Sequence, residues 1–146
     1  MLNLSCLRGL VPALATALLA SPATAQTVPA DTPAAFGVAG RAVVATLHGV
    51  GAQIYQCKAG ADGKAAWVFR EPVATLIQDG VTLGRHFAGP TWALADGGVV
   101  KGKVAATAPG AAPTDIAQLK LDMIDHQGAG LLKDATAVLR LSLIHI

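Results

Sequence analysis

Turn-forming glycines divide this chain into short segments, and this division restricts the possible fold more than any other feature. The pairs Asp62-Gly63 and Asp96-Gly97 lie between runs of apolar and β-branched residues that suit strands better than helices. Turn signals that recur about every 8–12 residues between short strands are typical of β-sandwiches and barrels. The sequence therefore predicts an all-β, mainly antiparallel fold, either a sandwich or a partly open barrel, with at most one short helix.

The clearest predicted element is a hairpin in the first half of the chain. Residues 52–58 alternate strictly, the turn at 60–64 supplies Asp-Gly chemistry, and residues 66–70 return as the partner strand. We expect Tyr55 and Trp67 to face each other across this hairpin or to pack side by side on its core face.

In the first half of the chain, the one segment that could be a helix is 71–77. Pro72 suits a first helical position, and Val73, Leu76 and Ile77 would share one helix face, yet a strand fits the segment equally well. Residues 105–114, rich in alanine, proline and glycine, are expected to form a loop. The remaining predicted strands are 41–47, 81–83, 91–94, 99–104, 116–124 and 131–141. Segment 116–124 also permits a helix, because Ile116, Leu119 and Met123 have helical spacing, but a strand is favoured because 131–141 suits a partner strand.

The first 25 residues have the layout of a secretory signal peptide. A single cation, Arg8, precedes an apolar run at 10–20, and Ala23-Thr24-Ala25 matches a small-residue cleavage pattern. The apolar run is shorter than the roughly 20 residues that a membrane span needs. We therefore expect cleavage after Ala25, no integral membrane span in the mature chain, and a periplasmic or secreted location. The predicted organisation is a signal peptide at 1–25, an extended lead-in at 26–40 whose first residues add nothing to the core, and one β-rich domain at 41–141.

Charge and motif content exclude several classes of function. The formal net charge is only +2, and no cluster of Lys and Arg is interleaved with aromatic residues, so nucleic acid is not an expected partner. Gly49-Val50-Gly51 lacks the third glycine of a dinucleotide fingerprint and leads into a strand, which argues against a dehydrogenase. His48, His86 and His126 are widely separated. No cofactor and no metal site are predicted.

The chemistry-bearing residues concentrate between Gly84 and Gly98. His86 can act as an acid or a base, and Asp96 could orient its ring, so these two are the candidate catalytic residues. Arg85, His86 and Trp92 are the candidate ligand-binding residues. Three of these four residues also have a structural explanation: His86 could bond a backbone carbonyl, Trp92 could anchor the core, and Asp96 could serve turn chemistry.

Three stretches together resemble a known family. They are "GRHFAGPTW…DGG" at 84–98, "GAQIYQC" at 51–57 and "GAGLLKDATAVLR" at 128–140. This pattern resembles the bacterial and fungal family called domain of unknown function 3455, which has no established activity. The resemblance implies that relatives continue further and carry a late cysteine. The string "SLIHI" at 142–146 resembles translated sequencing-adaptor sequence, so these residues are expected to be a non-native tail. The resemblance to the family implies that Cys57 has lost its disulfide partner by truncation. A buried, inert Cys57 thiol is the alternative.

No assembled catalytic set can be recognised in the sequence, and this ranks the possible functions. The first expectation is an exported β-domain that binds a small molecule or associates with the cell envelope. A small hydrolase or lyase that uses His86 and Asp96 is the second, and a purely structural secreted domain is the third. The ligand and the oligomeric state are not specified by the sequence.

Overall fold

The computed structural model describes residues 26–143 and shows a single large antiparallel sheet. Its seven strands are hydrogen-bonded in chain order, so each strand pairs with the one before it and the one after it. This confirms the predicted all-β, mainly antiparallel class. The strands of this sheet are β3 (His48–Ala59), β4 (Ala65–Gln78), β5 (Val81–Phe87), β6 (Thr91–Leu94), β7 (Val99–Ala108), β8 (Gln118–Gln127) and β9 (Ala137–Arg140). A two-stranded sheet of β1 (Gln26–Thr27) and β2 (Ala42–Val43) precedes it, with a 3-10 helix at Ala34–Phe36 between them.

The core lies against one face of the large sheet. Leu76 of β4 and Leu121 of β8 belong to the same buried cluster although three strands separate them in the sheet order. In a flat sheet, four strand spacings of about 4.8 Å would hold these two strands far apart. Tyr55 of β3 nevertheless acts on the pKa of Arg140 of β9, although these two strands stand at opposite ends of the strand order. The sheet therefore curls, and we call the face that holds the core the concave face. The other buried members of this cluster are Trp92, Leu94, Val100, Leu132 and Ala135.

The predicted hairpin at 52–70 is present, with a register that the sequence did not reveal. The Asp62 Oδ1 atom accepts a hydrogen bond from Lys64 N at 3.1 Å, which closes the turn. The register shifts next to Tyr55, and this places Tyr55 opposite Phe69, with ring centroids 5.6 Å apart. Trp67 instead lies opposite Cys57, and it is 74 % exposed. The expected Tyr55–Trp67 pair on a core face is therefore wrong.

Beyond that register shift, β3 and β4 pair only with each other. The pairing of β4 with β5 begins only at Ala74, so the distal part of the β3–β4 ladder has no third strand beside it. Every residue from 55 to 70 is exposed. We call residues 55–70 the hairpin arm.

Residues 71–77 form part of β4, so the helical alternative is wrong. Pro72 is buried, pairs with Gln53, and lies outside the β4–β5 ladder and close to the register shift. A strand tolerates the missing N–H of proline at such positions. Proline favours the first position of a helix, but the residues on both sides of Pro72 pair with β3, and this pairing makes the segment a strand.

The lead-in at 26–40 contributes more than the sequence indicated. Its 3-10 helix lies against β7, and Phe36 and Val38 are buried. The predicted strand at 41–47 is reduced to Ala42–Val43, which pairs with β1 and not with the large sheet. The lead-in is thus folded over the sheet, not extended.

Two further boundaries differ from expectation in the second half of the chain. β7 continues through Ala108, so part of the predicted loop at 105–114 is strand. The last predicted strand, 131–141, is shortened to Ala137–Arg140, because residues 131–134 form a turn that closes on Asp96. The predicted signal peptide at 1–25 and residues 144–146 of the predicted tail lie outside the described residues.

Candidate functional site

His86 lies on the concave face of β5 and stacks on Trp92. The two residues are directly opposite each other on β5 and β6, and their rings are 4.4 Å apart with an interplanar angle of 9°. The His86 Nδ1 atom donates to Thr91 O at 3.0 Å, because a carbonyl oxygen can only accept. This bond fixes the proton on Nδ1, so the Nε2 atom carries the free lone pair.

The surroundings of His86 keep its ring neutral. Burial is the main cause that lowers the pKa of His86 below its ordinary value of 6.5. The hydrogen bond to Thr91 acts in the opposite direction, and the positive charge of Arg140 lowers the pKa further. At neutral pH the Nε2 atom is therefore a hydrogen-bond acceptor, with no partner among residues 26–143.

Arg140 is the functional candidate that sequence reasoning missed. It lies opposite Leu119, whose side chain packs against the core, so the guanidinium group starts from the concave side of β9. Its Nη2 atom donates to Ala117 O at 3.1 Å, whereas its Nε atom is buried without a partner. No ion pair within residues 26–143 includes Arg140. The only sequence signal was a cation that follows the apolar run Ala137-Val138-Leu139.

Tyr55 extends the same face toward the hairpin arm. His86 is opposite Ala74, and Ala74 is opposite Gly51, so these three residues share one face of the sheet. Tyr55 is four residues beyond Gly51 on β3, and alternation returns it to that face. Tyr55 also influences Arg140: burial lowers the pKa of Arg140 below its ordinary value, and the nearby Tyr55 opposes this shift.

Asp96 is bound at both carboxylate oxygens and does not reach His86. Oδ1 accepts from Gly98 N at 2.9 Å, and Oδ2 accepts from Leu131 N at 2.7 Å. These bonds, the one from Leu131 first, lower the pKa of Asp96 below 3.8. In the part of the chain that the structure describes, no hydrogen bond joins Asp96 to His86. Asp96 thus stabilises the β6–β7 turn and ties it to Leu131, which agrees with the turn role considered for it in the sequence.

Of the three candidate ligand-binding residues, the structure brings His86 and Trp92 together and places Arg85 apart from them. Trp92 is only 8 % exposed, and His86 covers one face of its indole, so the ring is a core anchor and not an open platform. Arg85 is exposed on the opposite face of β5, where its guanidinium lies 5.0 Å from the centre of the Phe87 ring. Of these three residues, only His86 keeps an unused polar atom on the concave face.

Cys57 lies on the hairpin arm and is exposed, so the buried alternative is wrong. Residues 26–143 contain no disulfide partner for it, and the disulfide implied by the resemblance stays a prediction. Over the same residues there is no group of three His, Cys, Asp or Glu side chains that could hold a metal ion. No helix in this region has the length and apolar character to cross a membrane.

Fold and site together define an open, curled β-sheet protein that has on its concave side a neutral imidazole and a guanidinium without an ion pair among residues 26–143. The chain belongs to the family described as "Protein of unknown function (DUF3455)", which matches residues 38–143. This confirms the resemblance seen in the sequence. No curated protein and no solved structure matches the chain.

Proposed function

We propose that this chain is an exported β-domain that binds a small molecule at the concave face, next to His86 and Arg140. The observation that carries the proposal is the polar capacity left unused there: the buried Nε of Arg140 has no partner, and the Nε2 of His86 is free. An unmade hydrogen bond of a buried group costs about 1–3 kcal/mol. Such groups persist in native proteins where a function retains them.

Binding accounts for the site better than catalysis does. A hydrolase or lyase that used His86 with Asp96 would need the two side chains within hydrogen-bond reach, roughly 2.6–3.2 Å. Both carboxylate oxygens of Asp96 instead accept hydrogen bonds from backbone N–H groups, those of Gly98 and Leu131. The ring of His86 is oriented by a backbone carbonyl and by its stack on Trp92, which suits a fixed recognition group.

Export is the second part of the proposal and rests on residues 1–25 alone. Expression of the full gene in a bacterial host, followed by intact-mass analysis of the periplasmic and medium fractions, tests it. A mature chain that begins at Gln26 supports export. Recovery of the uncleaved chain in the cytoplasm alone would contradict it.

Thermal unfolding against a library of metabolites and sugars tests the binding site. A ligand at a hundredfold excess over its Kd adds about 2.7 kcal/mol of stability, which raises Tm by several degrees. The shift should be lost in His86→Phe and Arg140→Gln and kept in Arg85→Gln, because Arg85 lies on the opposite face of the same strand as His86. If the unmodified protein and all three variants show Tm shifts of equal size, the ligand binds elsewhere on the protein. If no compound shifts the Tm, the proposal is overturned.

A further inference from the structure

Arg140 is a half-buried cation without a counter-ion among the described residues. Its single hydrogen bond, to Ala117 O, satisfies one N–H group but neutralises no charge. The four ion pairs of this region involve other cations, and in each at least one partner side chain is more than half exposed. Removal of an unpaired charge from water is costly, so an acid that reaches the guanidinium gains more than a neutral molecule does.

Three aromatic side chains lie on the hairpin arm, and one of them, Tyr55, is near this cation. Tyr55 and Phe69 form an edge-to-face pair on the hairpin arm, and Trp67 lies two residue pairs further along the ladder. The extra residue at the register shift is Arg70 on β4, so side chains along β3 still alternate between the two faces. Cys57 therefore lies on the same face as Tyr55, and Trp67, which pairs with Cys57, lies on that face too. About half of Tyr55 and of Phe69 and most of Trp67 is exposed. Aromatic side chains that share one exposed face in this way favour contact with an apolar ligand.

We infer that the ligand of the concave face is an amphipathic anion, whose acidic head binds Arg140 and whose apolar body lies along Tyr55, Phe69 and Trp67. This inference rests on the proposed binding function and names its ligand class. The influence of Tyr55 on the pKa of Arg140 supports it, because that influence requires the phenol and the guanidinium to be near each other. Carboxylate and phosphate heads share the chemistry that a guanidinium fork recognises.

A head-group series on the unmodified mature chain is the first test. Dodecanoate, dodecyl phosphate, 1-dodecanol and dodecyltrimethylammonium carry the same tail with anionic, neutral and cationic heads. Their binding is measured by titration calorimetry at neutral pH and low salt, below their micellar concentrations. We expect at least one anionic probe to bind about 30-fold tighter than 1-dodecanol, since a desolvated charge pair of this kind dominates such sites. The two anionic probes distinguish a carboxylate ligand from a phosphate ligand.

Three variants assign the two halves of the ligand. Arg140→Gln should weaken the anionic probe about 30-fold and leave 1-dodecanol unchanged, whereas Arg85→Gln should leave both unchanged. Trp67→Ala should weaken both probes by about tenfold, because an exposed ring that stacks on a ligand contributes to either one. Circular dichroism checks that each variant is folded. If Arg140→Gln does not fold, the head-group series decides the inference without it.

Each outcome separates the inference from the proposed function. Equal affinity for 1-dodecanol and the anionic probes would overturn the anionic head and leave small-molecule binding intact. Normal binding by Trp67→Ala would overturn the role of the hairpin arm. Failure of all four probes, together with the absence of any library hit, would overturn both proposals.

Discussion

His86 shows how one residue can be structural and available at the same time. Its Nδ1–H is committed to Thr91 O, and its ring covers Trp92, which is the structural role expected from the sequence. Its Nε2 remains free on the concave side. Local pattern could place His86 and Trp92 on one face, because they flank the turn that ends at Pro90 and pair across it. The same pattern could not find Arg140, because only the curl of the sheet brings β9 near β5.

The titration of His86 makes stability depend on pH. The folded-state pKa is depressed, so the unfolded chain binds the proton more readily, and the contribution of His86 is complete above about pH 6.5 and lost as the pH falls through the folded-state value. We expect the free energy of unfolding to fall between about pH 7.5 and pH 5. His86→Phe keeps the stack on Trp92 without the charge, so its decline should be smaller. Urea titrations at both pH values measure this, and parallel declines would contradict it.

Asp96 is expected to act on stability and not on chemistry. Asp96→Ala removes the bond to Leu131, which ties the β6–β7 turn to a segment 35 residues away. Its Tm should fall by clearly more than that of Asp62→Ala, which loses one bond within an exposed turn. Any ligand-induced rise in Tm should survive Asp96→Ala. A folded Asp96→Ala variant that has lost ligand binding would contradict this reading.

At the scale of the strand, β5 and β6 approach each other through Gly84. A Cβ atom at this position would lie 2.8 Å from Leu94 Cδ2 and would also meet the Ala93 carbonyl. Gly84→Ala should therefore reduce the free energy of unfolding by about 1–3 kcal/mol. Gly49→Ala is the matched control, because its Cβ would meet no atom within 4 Å. Equal stabilities of the two variants in denaturant titrations would show that the strands can separate without cost.

The hairpin arm and the core should respond differently to loss of a tryptophan. Trp92→Ala empties a packed site and is expected to cost about 3–5 kcal/mol. Trp67→Ala should change the free energy of unfolding by less than about 0.5 kcal/mol, because its indole is mostly in solvent. Urea titration followed by circular dichroism measures both. A large cost for Trp67→Ala would mean that the hairpin arm packs against another part of the protein.

The elements that the sequence predicted well are those whose causes are local. The turn at 60–64 is fixed by Asp62 and Gly63, and the β6–β7 turn by Asp96 and Gly97, so both hairpins could be placed from a few residues. The register near Tyr55 could not be placed, because one extra residue on β4 shifts every partner beyond it. The folded lead-in was missed for a similar reason: the burial of Phe36 depends on β7, more than sixty residues later.

Across the whole molecule, stability should be uneven. The buried cluster draws on β4, β6, β7 and β8, whereas the hairpin arm has no buried residue. Local opening is cheapest where few apolar contacts hold a segment. Amides of the hairpin arm should therefore exchange with D2O at least about 100-fold faster than those of Thr91–Leu94. Mass spectrometry of peptides from both regions measures this, and uniform protection would contradict it.

The order of the large sheet, in which every strand pairs with its neighbour along the chain, has a consequence for how the protein folds. No strand must wait for a distant part of the chain, so each new hairpin closes a short loop at small entropic cost. A sheet of this kind can start to form at any of its turns and then add strands toward both edges. Its contact order is low for a β protein, because paired residues are close in the sequence. Folding should therefore be fast, and a chain that emerges from its N-terminal end can begin to build the sheet before its last strand has arrived.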